Sequence, residues 1–278
     1  MADAAVLQQP DVFAANRARG LIAVGAQAAN GVTRRTTVRE EGSLRVRFPG
    51  PATSALQAVI VNTAGGMTGG DRFELAFHAA AGADLTVSTA AAEKIYRSTG
   101  ADAEVAITLT VEAGGSLAWL PQETIVFDEA RLSRRIEVKL AENASILLAE
   151  AVVFGRSAMG ETVLKGSFTD RWRVHRADQL VFAETVRLEG KITEQLAEPA
   201  VANGNIALAT ILIAPGNEEQ VAAILAKADR FRGEVGASAW NGFAMARLCA
   251  ADGAGLRHDL VMVLGALGRP ILPRLWSM

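Results

Sequence analysis

At 278 residues, half of them apolar, the chain is long enough to bury a sizeable core as one large domain or two small ones. Lys and Arg number 28 against 30 Asp and Glu, and a formal net charge of −2 gives no electrostatic case for nucleic acid. The single cysteine, Cys249, excludes an intramolecular disulfide framework or a thiolate metal cluster, and the absence of any run of about 18 apolar residues argues against a membrane span.

The N-terminus carries Asp3, Gln8, Gln9, Pro10 and Asp11 where a signal peptide needs a basic start and an apolar core, so a cytoplasmic location is expected. Residues 1–37, locally basic through Arg17, Arg19, Arg34 and Arg35, read as a mobile or extended arm. A single domain is expected over 38–278, with a β core to 190 and an α+β part over 191–278. The apolar run Ala58–Val61 leads into Asn62-Thr-Ala-Gly-Gly-Met-Thr-Gly-Gly-Asp71. Gly65, Gly66, Gly69 and Gly70 let the backbone turn or approach another backbone where side chains would forbid it. Asp71 then stands at the start of the alternating strand Arg72–His78. A phosphate loop would need a Lys-Ser/Thr pair opening a helix; here a strand follows, and Asp71 would repel phosphate.

The middle of the chain repeats. Phe73-Glu-Leu-Ala-Phe, Val105-Ala-Ile-Thr-Leu-Thr-Val and Ile136-Glu-Val-Lys-Leu are each followed by a Gly or Asn turn and a second, more apolar strand. The first strand of each unit alternates as if one face were solvated, and the second should lie between layers. No room is left for helices between residues 70 and 155, which excludes an open βαβ sheet. The expected fold is mainly β, a layered β-sandwich or β-helix-like stack, closed by a C-terminal β-α-β-α portion carrying two helices. That portion reads as strand Ala207–Ile213, helix Glu218–Arg230, strand Ala239–Ala250, a turn at Gly253-Ala-Gly, and helix Leu260–Leu267.

Catalytic patterns are missing. His78, His175 and His258 have no second His or Cys within metal-ligand spacing, and no nucleophile elbow occurs. Two carboxylates are oddly placed: Glu150 interrupts Ile146–Phe154 and Glu184 interrupts Leu180–Val186. Ionised carboxylates inside apolar strands are costly unless paired, hydrated or bound to a cation. They either pair with Arg156, Arg173 or Lys94, or line a hydrated passage for a divalent cation. Glu93-Lys-Ile-Tyr-Arg97 is a second concentrated polar site at the end of a dense strand, readable as a salt-bridged strand end.

The loop Asn62–Asp71, together with Glu93-Lys-Ile-Tyr-Arg-Ser98, Trp119-Leu-Pro-Gln-Glu-Thr-Ile-Val-Phe-Asp128 and Leu272-Pro-Arg-Leu-Trp276, resembles the UreD/UreH family of urease accessory proteins, with the motifs in the family's order from about Val38 onward. The resemblance implies a non-enzymatic chaperone that binds urease apoprotein on one side and a UreF-like helical accessory protein on the other. That partner would recruit a UreG-like, nickel-carrying GTPase, and nickel would reach the urease active site with no cofactor held tightly here. It places Glu93, Lys94, Tyr96, Arg97, Glu123, Asp128 and Arg156 on a passage wall or partner surface, and gives Asp71, Glu150 and Glu184 a transient role toward Ni²⁺. Oxygen donors bind Ni²⁺ more weakly than His or Cys, which suits hand-over. The chain departs from the family pattern twice, with Glu93 where Thr is usual and Asn62 where many members have His. Two alternatives remain: a β-helix-like polysaccharide hydrolase or lyase using Asp71, Glu123 or Asp128, and a purely structural assembly protein. The former needs an aromatic-lined groove, which one Tyr and four Trp would furnish sparsely.

Overall fold

The three repeated units form successive coils of one β stack in the computed structural model, which describes residues 17–50, 54–156, 159–267 and 272–276. The chain opens with β1 (Arg19–Ala29), β2 (Val32–Gly42), β3 (Leu44–Arg47) and β4 (Leu56–Asn62). The coils follow: β5 (Arg72–Ala79), β6 (Asp84–Thr89) and β7 (Glu93–Ile95); β8 (Ala103–Val111), β9 (Ser116–Trp119) and β10 (Thr124–Val126); β11 (Arg131–Leu140) and β12 (Ser145–Phe154). After them come β13 (Gly166–Arg176), β14 (Gln179–Gly190), α1 (Ile192–Ala197), β15 (Ala207–Ala214), α2 (Glu218–Leu225), β16 (Glu234–Trp240), β17 (Phe243–Ala250) and α3 (Gly253–Ala266).

Two sheets face each other. The first runs β14-β13-β11-β8-β5-β1-β2 and the second β16-β17-β15-β12-β9-β6-β4-β3, while β7, β10 and the end of β12 add a short third side. Successive coils stack in parallel register, with Arg72 beside Glu104, Leu85 beside Leu117, and Leu117 beside Ile146. Antiparallel strands finish both ends of each sheet.

Burial follows the strand periods. In β5, Phe73, Leu75 and Phe77 point into the core while Arg72 and Glu74 face outward. Only Ser145 of β12 escapes full burial, because a second core lies behind its sheet. There Leu147, Ala149 and Val153 meet Ile211, Leu248, Leu256, Leu260 and Val263. Helices α2 and α3 thus cover the second sheet, α1 packs on β14 instead, and β15 and β17 extend the second sheet directly.

Three details differ from the sequence reading. Residues 1–16 of the expected arm lie outside the described residues, but Arg19–Gly42 is a hairpin whose β1 pairs in parallel with β5. Ile22 and Val24 are buried there; Gly20, Ala23 and Gly25 around them dilute the apolar signal that would have announced a core strand. Ala239–Ala250 is not one strand, since Asn241-Gly242 takes positive φ at both residues (47° and 77°) and turns β16 into β17. Gly253 opens α3 rather than a separate turn, because the Asp252 side chain caps it by accepting from Gly255 N at 2.7 Å.

Candidate functional site

The glycine loop between β4 and β5 lies against the segment that follows β7. Met67 N donates to Lys94 O and Met67 O accepts from Tyr96 N, both at 2.7 Å. A Cβ on Gly66 would stand 2.3 Å from Tyr96 Cε2 and 2.8 Å from Lys94 O. One on Gly69 would stand 1.9 Å from Ser98 Oγ and 2.3 Å from Ala101 O, so this close approach requires glycine at both positions. Gly65 and Gly70 supply the turns. Asp71 is buried and closes the loop, its two oxygens accepting from Ala18 N and Thr68 N at 2.8 Å each. Asn62 and Glu93, the two departures from the family pattern, touch: Asn62 Nδ2 donates to both Glu93 oxygens at 3.0 and 3.1 Å. Burial pushes the Glu93 carboxyl up to about 6, against the pull of the Asn62 amide and of Lys94.

The third side of the stack gathers the remaining motif residues. Asp128 Oδ1 accepts from Leu164 N at 2.7 Å and Lys165 N at 3.0 Å. The Tyr96 ring meets Phe127 edge-on at 5.0 Å, and its hydroxyl donates to Gly65 O at 3.1 Å. Arg156 lies 4.4 Å over the Phe127 ring and pairs with Glu161 at 2.7 Å. Lys94 and Arg97 are exposed, Arg97 standing 3.3 Å from Glu129. Glu123 pairs with Arg257 at 3.3 Å, and Arg257 Nη2 also donates to Leu275 O at 2.8 Å. Trp276 Nε1 donates to Leu120 O at 3.0 Å, which docks the C-terminal motif. All four motifs therefore meet along one side of the molecule.

Glu150 and Glu184 lie elsewhere, in a cleft of about 590 Å³ between β13–β14 and the strands β12, β15 and β17. Neither forms the ion pairs expected of it. Arg134 holds both Glu150 and Asp170, the latter through Nε at 3.0 Å and Nη2 at 2.6 Å, and Trp119 Nε1 donates to Glu150 at 2.7 Å. Burial pushes the Glu150 carboxyl up to about 7; Arg134 opposes the rise and Asp170 adds to it. Glu184 pairs with Arg247 across the cleft at 3.0 Å, and burial likewise raises its pKa. Arg173 reaches only the backbone oxygen of Glu184, at 2.9 Å. Asp71 does not line this cleft. Arg134 and Asp170 escaped the sequence reading, yet their phase announced them. Arg134 alternates with Leu132, Ile136 and Val138, and Asp170 with Phe168, Trp172 and Val174, all of them buried. Among the described residues no three His, Cys, Asp or Glu stand as a ready metal site, the Glu150 and Asp170 carboxylates being occupied by Arg134.

The four sequence motifs converge on one side of a coil stack, and a cleft carrying charged side chains opens elsewhere, which places the chain among stacked-coil β proteins. The description "UreD urease accessory protein" matches residues 18–277, and the chain belongs to that family. It is 57% identical over 270 residues to the urease accessory protein UreD of Rhodopseudomonas palustris (strain BisA53), covering 97% of this chain and 94% of that one. The urease accessory protein UreD of Bradyrhizobium diazoefficiens is 56% identical over 265 residues, 95% of this chain and 96% of the relative. Among the described residues no helix is long and apolar enough to cross a membrane.

Proposed function

We propose that the protein is a non-catalytic cytoplasmic scaffold for urease maturation. It holds urease apoprotein and a UreF-like helical accessory protein, the latter bringing a UreG-like GTPase, and Ni²⁺ passes as cargo without being retained. The observation that carries this reading is family membership across nearly the whole chain, joined to a cleft lined by five carboxylates, Glu150, Asp170, Glu184, Glu198 and Glu234. Such a cleft attracts a divalent cation, while Arg134 and Arg247 already compensate part of the charge and so keep the attraction weak. The hydrolase alternative has little support. Asp71 and Asp128 are engaged by backbone amides and Glu123 by Arg257, so none of the three carboxylates that reading needs is free. The test is co-purification with urease subunits with and without Ni²⁺, together with nickel per urease site for Glu184→Gln. Intact complexes with full nickel occupancy in the variant would remove the cleft from the pathway.

A further inference from the structure

We infer that the free edge of β2, with the groove beneath it, docks an acidic, extended segment of a partner protein by strand addition. The proposal stands apart from any metal path through the cleft.

Charge is the first ground. Residues 17–50 contain seven arginines, Arg17, Arg19, Arg34, Arg35, Arg39, Arg45 and Arg47, against only Glu40 and Glu41, within a chain of net charge −2. Both glutamates are already used. Glu40 accepts from Val46 N at 2.5 Å and pairs with Arg47 at 3.1 Å, and Glu41 pairs with Arg39. Arg34 and Arg35 are exposed and form no ion pair among the described residues.

Backbone is the second. β2 ends the seven-stranded sheet. Apart from Thr33 N, which donates to Ser54 O at 2.9 Å, its outer row of amides and carbonyls meets no strand among the described residues. Edge arginines keep two copies of one edge apart by like charge, yet select a strand of opposite sign.

Shape is the third. Val38 pairs with Val24 and so shares its inward face, but Val24 is 2% exposed and Val38 44%. The facing sheet ends in β3, four residues against the eleven of β2, and leaves that inner side uncovered. The result is an open groove of about 460 Å³ lined by Arg35, Val38, Glu40, Val46, Arg47 and Phe48, with Glu40 neutralised by Arg47 and Arg35 stacked 4.9 Å over the Phe48 ring. An incoming strand would place alternate apolar side chains here, along Val38 and the stem of Arg35, and acidic ones on the opposite face against Arg34.

Fluorescence anisotropy on the full-length chain tests this, using a labelled Glu-Val-Glu-Val-Glu-Val-Asp-Val probe and its Lys-for-acid counterpart. The acidic probe should bind at least ten-fold tighter than the basic one, and weaken at least ten-fold in the exposed double variant Arg34→Glu/Arg35→Glu. Val38→Ser should weaken it several-fold, and N-methylation of alternate probe amides should abolish it. Equal binding of both probes, or a double variant within twofold of wild type, overturns the proposal. So does single-stranded DNA competing as well as the acidic peptide. If the probe binds only after residues 2–16 are removed, the groove serves the chain's own N-terminus and docking in trans is overturned.

Discussion

Glu150→Gln should remove a pH-dependent weakness from the protein. The carboxylate is 5% exposed and shares the single guanidinium of Arg134 with Asp170, so two buried acids face one buried base. Its pKa is raised by burial from 4.5 to about 7. Between those values the folded protein holds a proton that the unfolded chain has released, so stability is greatest below pH 4.5 and declines as pH rises toward 7. At 1.36 kcal/mol per unit, the loss over that window is about 3 kcal/mol. Glutamine keeps the volume, but its one carbonyl can accept from either Trp119 or Arg134, and the lost bond costs about 1–3 kcal/mol at every pH. Arg134 retains Asp170, so no unpaired cation is left behind. The variant should therefore be less stable than wild type at pH 5 and equal or better at pH 8. Urea midpoints at pH 5, 6, 7 and 8, followed by tryptophan fluorescence and circular dichroism, measure this directly. Parallel pH curves, or a variant weaker by about 3–5 kcal/mol at pH 8, as an uncompensated buried charge would make it, refute the reasoning.

Asp71→Ala strips two backbone amides of their acceptor and should cost about 2–4 kcal/mol, measured as a shift in urea midpoint, with Asp71→Asn recovering part of it. Gly66→Ala drives a methyl into the Tyr96 ring and the Lys94 carbonyl, and should lower the melting temperature by several degrees while making the loop protease-sensitive. Asp259→Ala leaves Arg232 N and Gly233 N without acceptors at a position 1% exposed; a loss of about 2–4 kcal/mol is expected in denaturant titration. The protein alone should self-associate in light scattering and, if the proposed UreF-like protein is its partner, be relieved by it, because Leu180, Val181 and Trp240 are exposed near the ends of β14 and β16.

The periodic parts of this fold were legible. Alternation in Phe73–Phe77 and the denser run Ile146–Phe154 indicate a half-solvated strand and one between two cores, because burial on one or both faces dictates those patterns directly. Helix α2 was legible through the apolar side Val221 and Ile224, and the second half of α3 through its apolar run from Leu260, whereas α1 and the first turns of α3 were not. The first strand was not, since Gly20, Ala23 and Gly25 make β1 look like loose chain; only pairing with β5 shows it as a core strand.

At the candidate site the division is similar. Sequence alone marked the glycine loop, its neighbouring motifs, and the two carboxylates that interrupt apolar runs, because each breaks a local rule. Only the tertiary structure brought Asn62 against Glu93, set Arg134 between Glu150 and Asp170, and put Arg247 across a cleft from Glu184. These partners sit on different strands, and register between strands distant in the chain decides which charges meet. A partner's identity is a property of packing, which no local pattern encodes.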